Sequence, residues 1–199
     1  MHINPSFSSQ KLYDAKIRNK NKEPINVQIT KLSYDDPEDR EAMMNIKLLW
    51  QCLDDFFDPA LLKKIDENFK SKNGNTLAVE LVGSSKLEGK VLCLASVSGN
   101  EINFLQARTD VEYKSPISDP KRKFYGAGKA LMWGICKHAK DNNFNEVTVN
   151  SCNDNFYKTL GMKPAPKLNT KYGHNYFVFD PKDMDSFIKE TRHKYETMA

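Results

Sequence analysis

The chain is short of cysteine, of long apolar runs and of excess charge of either sign. Its four cysteines, Cys52, Cys93, Cys136 and Cys152, are scattered through 199 residues with no CxxC pair and no histidine at ligand spacing. That argues against a disulfide framework or a zinc knuckle, and for a reducing, cytoplasmic setting with no metal. No apolar run approaches the roughly 18 residues that a membrane-spanning helix needs, so no membrane association is expected. The first residues, Met1-His-Ile-Asn-Pro-Ser-Phe, lack the charged-then-apolar order of a secretory leader. Lysine and arginine total 30 against 26 acids, a formal charge of +4. An imbalance that small does not mark a nucleic-acid binder. Apolar residues make up 39% and charged residues 28%, enough apolar surface for one core-forming domain.

Hydrophobic periodicity divides the chain into alternating elements. Residues 1–24 are polar and basic, with Lys11, Lys16, Arg18, Lys20 and Lys22 against Asp14 and Glu23. They read as a solvated N-terminal arm, or as a short docking helix around 12–17. The main domain then spans 25–181. Residues 25–32 alternate apolar and polar with period two, as a half-buried strand does. Pro37, Glu38 and Asp39 open a helix to about 52, and a second helix covers 59–70 before Asn73-Gly74-Asn75 stops it. Strands at 76–82, 90–97 and 101–108 follow with short connections, which makes them an antiparallel meander. After a polar stretch over 109–123 come a helix to about 142, a strand at 147–149, a helical turn at 153–160 and a strand at 174–180. A closing helix occupies 182–199. This order implies an α/β chain of the mixed α+β kind: a central, mostly antiparallel sheet with helices on both faces.

The densest chemistry lies at Lys121-Arg122-Lys123-Phe124-Tyr125-Gly126-Ala127-Gly128-Lys129-Ala130. Glycines opening a helix let free backbone N–H groups converge on one anion, and the helix dipole adds roughly half a positive charge there. A pyrophosphate suits that cradle. A Walker A loop does not fit, because position 123 is Lys and position 130 is Ala. A dinucleotide fingerprint does not fit either, since a third glycine is replaced by Leu131.

Lys123-Phe-Tyr-Gly126-Ala-Gly128 resembles the Gln/Arg-x-x-Gly-x-Gly/Ala loop of the GCN5-related N-acetyltransferases, the GNAT family. Phe156-Tyr157-Lys-Thr-Leu160-Gly161-Met162 is similar to that family's late Phe-Tyr-x-x-Leu-Gly-Phe helix end. The separation of the two motifs, and the element order over 25–180, agree with the family as well. Three departures stand out. Lys replaces Gln/Arg at 123, 109–120 looks inserted, and either Asn150 or Asn153 aligns with the family's helix-capping asparagine.

The resemblance implies an acyl-CoA N-acyltransferase fold and transfer of an acetyl group from acetyl-CoA to an amine by direct attack. It places the CoA pyrophosphate on the amides of Tyr125, Gly126, Ala127, Gly128, Lys129 and Ala130, with Arg122, Lys123 and Lys129 adding side-chain charge. Pantetheine is expected against main chain at Leu105 and Gln106, and Asn153 near the cofactor. Tyr157 corresponds to the family's thiolate-protonating tyrosine. Glu101 and Glu80 are the best-placed carboxylates for a general base, ahead of Asp110 and Glu112. An acceptor that is a small amine or a protein lysine or N-terminus, and a monomer or homodimer, complete the expectation. A CoA-binding module without catalysis is the alternative.

Overall fold

The computed structural model describes residues 9–53, 59–71, 74–83, 91–107, 123–151, 153–168 and 175–195. In chain order the elements are β1 (Gln10–Asn19), β2 (Pro24–Leu32), α1 (Pro37–Leu53), α2 (Pro59–Lys70), β3 (Gly74–Leu81), β4 (Val91–Ser98) and β5 (Glu101–Ala107). There follow β6 (Phe124–Tyr125), α3 (Ala127–Asp141), β7 (Val147–Ser151), α4 (Asp154–Leu160), β8 (Lys163–Pro164), a 3-10 turn, β9 (Asn175–Phe179) and α5 (Pro181–Tyr195). The described strands form one sheet in the order β6-β1-β2-β3-β4-β5-β7-β9-β8. Every neighbouring pair is antiparallel except β5 and β7.

Side-chain alternation sends the two faces of this sheet to two cores. Ile29, Leu77 and Val79 join Leu131, Trp133 and Ile135 of α3 and Met184 and Phe187 of α5 in the larger one. Leu32, Ala78, Leu94 and Phe104 turn the other way, onto Met43 and Ile46 of α1 and Ile65 and Phe69 of α2. Ala78 and Val79, consecutive on β3, thus serve opposite cores, and both faces are covered as expected.

The N-terminal expectation is corrected. Residues 10–19 are neither a solvated arm nor a helix. They form β1, paired in antiparallel register with β2 from Gln10↔Lys31 to Arg18↔Pro24. Ala15 and Ile17 are fully buried while Lys16 and Arg18 between them are exposed, so the basic residues are the outward half of a strand alternation. A bulge between Lys11 and Tyr13 interrupts the period, which hides it in the sequence. The two-residue strands β6 and β8 carry no periodic signal at all. The segment 109–120, Arg122, Cys152 and His174 lie outside the described residues. Among the described residues no helix is long and apolar enough to cross a membrane.

Candidate functional site

The one parallel junction of the sheet is also where it opens. β5 and β7 pair at Glu101↔Thr148 and Ile102↔Val149, and the ladder then stops, although β5 continues to Ala107 and β7 to Ser151. A register shift marks the parting. Ser96 faces Phe104 and Val97 faces Ile102, which leaves Asn103 as the extra residue of a bulge on β5. Bulges bend a strand and leave an unpaired residue. The two strands part there in a cleft, along whose β5 side, from Asn103 through Leu105 and Gln106, no described strand pairs.

The glycine loop lies at the mouth of this cleft. Gly126 has φ 91° and ψ 2°, a left-handed conformation that glycine adopts without a Cβ penalty, and no side chain caps the helix that follows. The N–H of Ala130 closes the first helical turn on the Gly126 carbonyl at 2.9 Å. Its amide is therefore already bonded, and the amides of Ala127, Gly128 and Lys129 are those that a helix start leaves over. A methyl group added at Gly128 would lie 3.3 Å from Phe156 Cζ and 4.0 Å from Leu105 Cδ2. Loop, β5 and α4 therefore meet at Gly128. Lys123 is exposed, whereas the Lys129 ammonium sits 5.8 Å from the centre of the Phe187 ring on α5. Lys129 thus contributes its amide to the loop while its charge rests on an aromatic face.

Across the cleft, α4 is a seven-residue helix held at both ends. Asn153 is its N-cap, the side-chain oxygen accepting the Phe156 N–H at 3.1 Å, and Gly161 closes it in the left-handed conformation. The cap is Asn153, and Asn150 belongs to β7. Tyr157 is 5% exposed, edge-on to Phe156 and stacked on Phe177 at 6.0 Å. Its phenol is thereby fixed beside the residue that touches Gly128.

The two candidate carboxylates separate. Glu101 stands at the closed end of the cleft, where the Tyr176 hydroxyl of β9 donates to it at 3.2 Å. Burial raises the Tyr176 pKa, and the Glu101 charge and hydrogen bond add to that, so Tyr176 stays a donor. Glu80 is two strands away on β3, 3% exposed and accepting from Gln28 at 3.0 Å. The sequence gives Asn103 and Tyr176 no place at the site, and offers Asn150 only as the alternative to Asn153 for the helix cap. Asn150, one residue past the last β5–β7 pair, keeps a buried Oδ1 with no hydrogen-bond partner among the described residues. The alternation of 175–179 does place Tyr176 opposite Phe177, a polar-tipped ring turned from the core. Cys93 and Cys136 are buried, and burial pushes both thiols up, away from a nucleophilic thiolate. Burial and the Lys31 charge hold His138 below its ordinary value. No cluster of three or more metal-ligating side chains occurs among the described residues.

This geometry can be set beside known structures. The crystal structure of a bacterial toxin matches with a TM-score of 0.53 at 12% identity, over 82% of this chain and 95% of that one. Tetrahymena GCN5 matches with a TM-score of 0.50 at 13% identity, over 74% of this chain and 92% of that one. The fold is the GNAT fold. No family model matches the sequence, and no curated protein does at a significant level. The likeness to these solved structures is therefore one of backbone arrangement.

Proposed function

We propose that the protein is an acetyl-CoA-dependent N-acetyltransferase acting on a primary amine. The observation that carries this is the convergence of three features at Gly128: an uncapped helix start, an unladdered strand edge and the Phe156–Tyr157 pair. The residues suit the donor substrate. The amides of Ala127, Gly128 and Lys129, with Gly126 shaping the turn, receive the diphosphate of CoA, and Lys123 screens it. Tyr125 leads into that turn. Main chain at Leu105 and Gln106 pairs with the amides of the pantetheine arm, completing a ladder that the sheet itself leaves open.

In the reaction, the amine lone pair forms the new C–N bond to the acetyl carbonyl, and the C–S bond breaks as the thiolate departs. An alkylammonium with a pKa near 10.4 must first lose a proton, a cost of about 4.6 kcal/mol at pH 7. Glu101 takes that proton, directly or through water, because among the described candidates it is the carboxylate at the cleft. The Tyr176 hydroxyl bonded to it orients it. Glu80, two strands off, is a weaker candidate. Tyr157 returns a proton to the leaving sulfur, a role a neutral phenol fills at pH 7, and the proton that the nitrogen sheds on becoming an amide restores the phenol through solvent.

The test is a binding and turnover pair. Calorimetry with acetyl-CoA should give saturable binding, and release of free thiol over an amine panel should reveal the acceptor. Tyr157→Phe should lower kcat by about 10²–10⁴ with binding changed less than about twofold. Intact turnover in that variant would remove Tyr157 from the acid role. Binding with no transfer to any amine would leave a CoA-binding module.

A further inference from the structure

The strand β6 does something the loop alone would not. It pairs with β1 at Arg18↔Tyr125 and Asn19↔Phe124, and Tyr125 is the residue before Gly126. Directly opposed residues of an antiparallel pair lie about 4.5–5.5 Å apart at Cα. The end of β1 is therefore held against the start of the loop. The strand registers carry the same level across the sheet, through Val27↔Leu81 and Cys93↔Ala107. The tip of the β1–β2 hairpin, residues 20–23, thus stands at the same end of the sheet as the α3 N-terminus and the open end of the cleft.

That tip is built and basic. Asn19 Oδ1 accepts the N–H groups of Asn21 and Glu23, both at 2.9 Å, and the Lys22 N–H bonds the Asn19 carbonyl at 2.9 Å. Lys22 is held at φ 65°. The one acid of the turn, Glu23, accepts from Asn19 Nδ2 at 2.7 Å, so it is occupied by a neutral partner. Arg18, Lys20, Lys22 and Lys123 are exposed, and none forms an ion pair with a described residue.

We propose that Arg18, Lys20 and Lys22 form a second anion site beside the loop, one that takes the 3′-phosphate of CoA and selects CoA over 3′-dephospho-CoA. This rests on the CoA reading above. The helix start offers amides to one diphosphate. The phosphate that remains is a dianion one ribose away, and charge-assisted contacts from guanidinium and ammonium groups fit it. A turn fixed by its own hydrogen bonds loses little freedom when it receives that group.

Titration calorimetry of the full chain with CoA and with 3′-dephospho-CoA decides the matter. The wild type should bind CoA about tenfold more tightly, a modest ratio because the site is exposed and screened. Arg18→Ala and the tip variant Lys20→Ala/Lys22→Ala should each lose most of that preference, with affinity for 3′-dephospho-CoA unchanged within about twofold and the unfolding transition kept. The tip variant guards against a loss of β1 pairing in Arg18→Ala. Equal wild-type affinities overturn this site and leave the CoA reading standing, as does equal weakening of both ligands in the variants. If neither ligand binds the wild type at millimolar concentration, the CoA reading itself is overturned and this site with it.

Discussion

Gly134 lies in the middle of α3, where glycine ordinarily costs roughly 1 kcal/mol against alanine. A Cβ placed there would be 2.5 Å from Ile29 Cδ1 and 3.0 Å from Ile29 Cγ2, and Ile29 is fully buried. The missing side chain is what lets α3 settle on β2. Gly134→Ala should therefore lower stability by about 1–3 kcal/mol despite its better helix propensity, because overpacking outweighs propensity in a dense core. Urea unfolding measures this, and an unchanged or raised midpoint would show that Ile29 repacks freely. The same scale explains which site residues were legible. Gly126, Gly128 and Tyr157 are legible as candidates because the motifs that carry them are local to a turn or a short helix. Asn103 and Tyr176 do not, because a bulge and a cross-strand hydrogen bond exist only once strands far apart in sequence are in register.

At the scale of elements, α4 is informative because seven residues are too few to hold a helix in water without help. Its help is visible: Asn153 caps the start, Ser151 Oγ donates to Asp154 at 2.8 Å, and Gly161 ends it. Asn153→Ala should cost about 1 kcal/mol and weaken acetyl-CoA binding by loosening the turn that carries Phe156 and Tyr157. Asn153→Asp, which still caps, should restore both in paired unfolding and calorimetric measurements. If stability returns without binding, the Asn153 side-chain amide meets the ligand itself. The longer helices and strands from 25 onward are readable because period and punctuation agree there, whereas β6 and β8 are too short to show a period. β1 was not readable, since its alternating lysines and arginine resemble a solvated tail until Ala15 and Ile17 are seen to be buried.

Over the whole molecule, the start of α1 is tied down by a carboxylate whose pKa burial pushes up to about 6. Asp39, 5% exposed in the first turn of α1, accepts the Ser33 N–H at 2.7 Å and the Ser9 hydroxyl at 3.0 Å. Asp36 beside it accepts the Ser9 N–H at 3.0 Å, so the chain just before β1 is tied to the start of α1. Burial raises the Asp39 pKa to about 6, with the charges of Asp36 and Glu80 adding to the rise and the two hydrogen bonds opposing it. An acid whose pKa is raised on folding binds its proton more tightly in the native state. Its stabilising contribution is complete below about pH 4 and is lost as pH climbs through about 6. Asp154 and Asp180 are held below their ordinary value, Asp154 first by Ser151 and Asp180 first by the Asp183 N–H, so they oppose this only as pH falls below the usual carboxylate range. Asp39 should therefore contribute a gain of about 1 kcal/mol on going from pH 7 to pH 5, opposed by His138, whose lowered pKa makes the unfolded state the better proton acceptor over that interval. Asp39→Asn, which carries no proton to lose, should remove the Asp39 contribution and leave the opposing one. Urea midpoints for both proteins at pH 5, 6 and 7 read it out. Parallel pH profiles for the two would assign the dependence to another group, and would leave Asp39 as a plain hydrogen-bond acceptor between the β1 entry and α1.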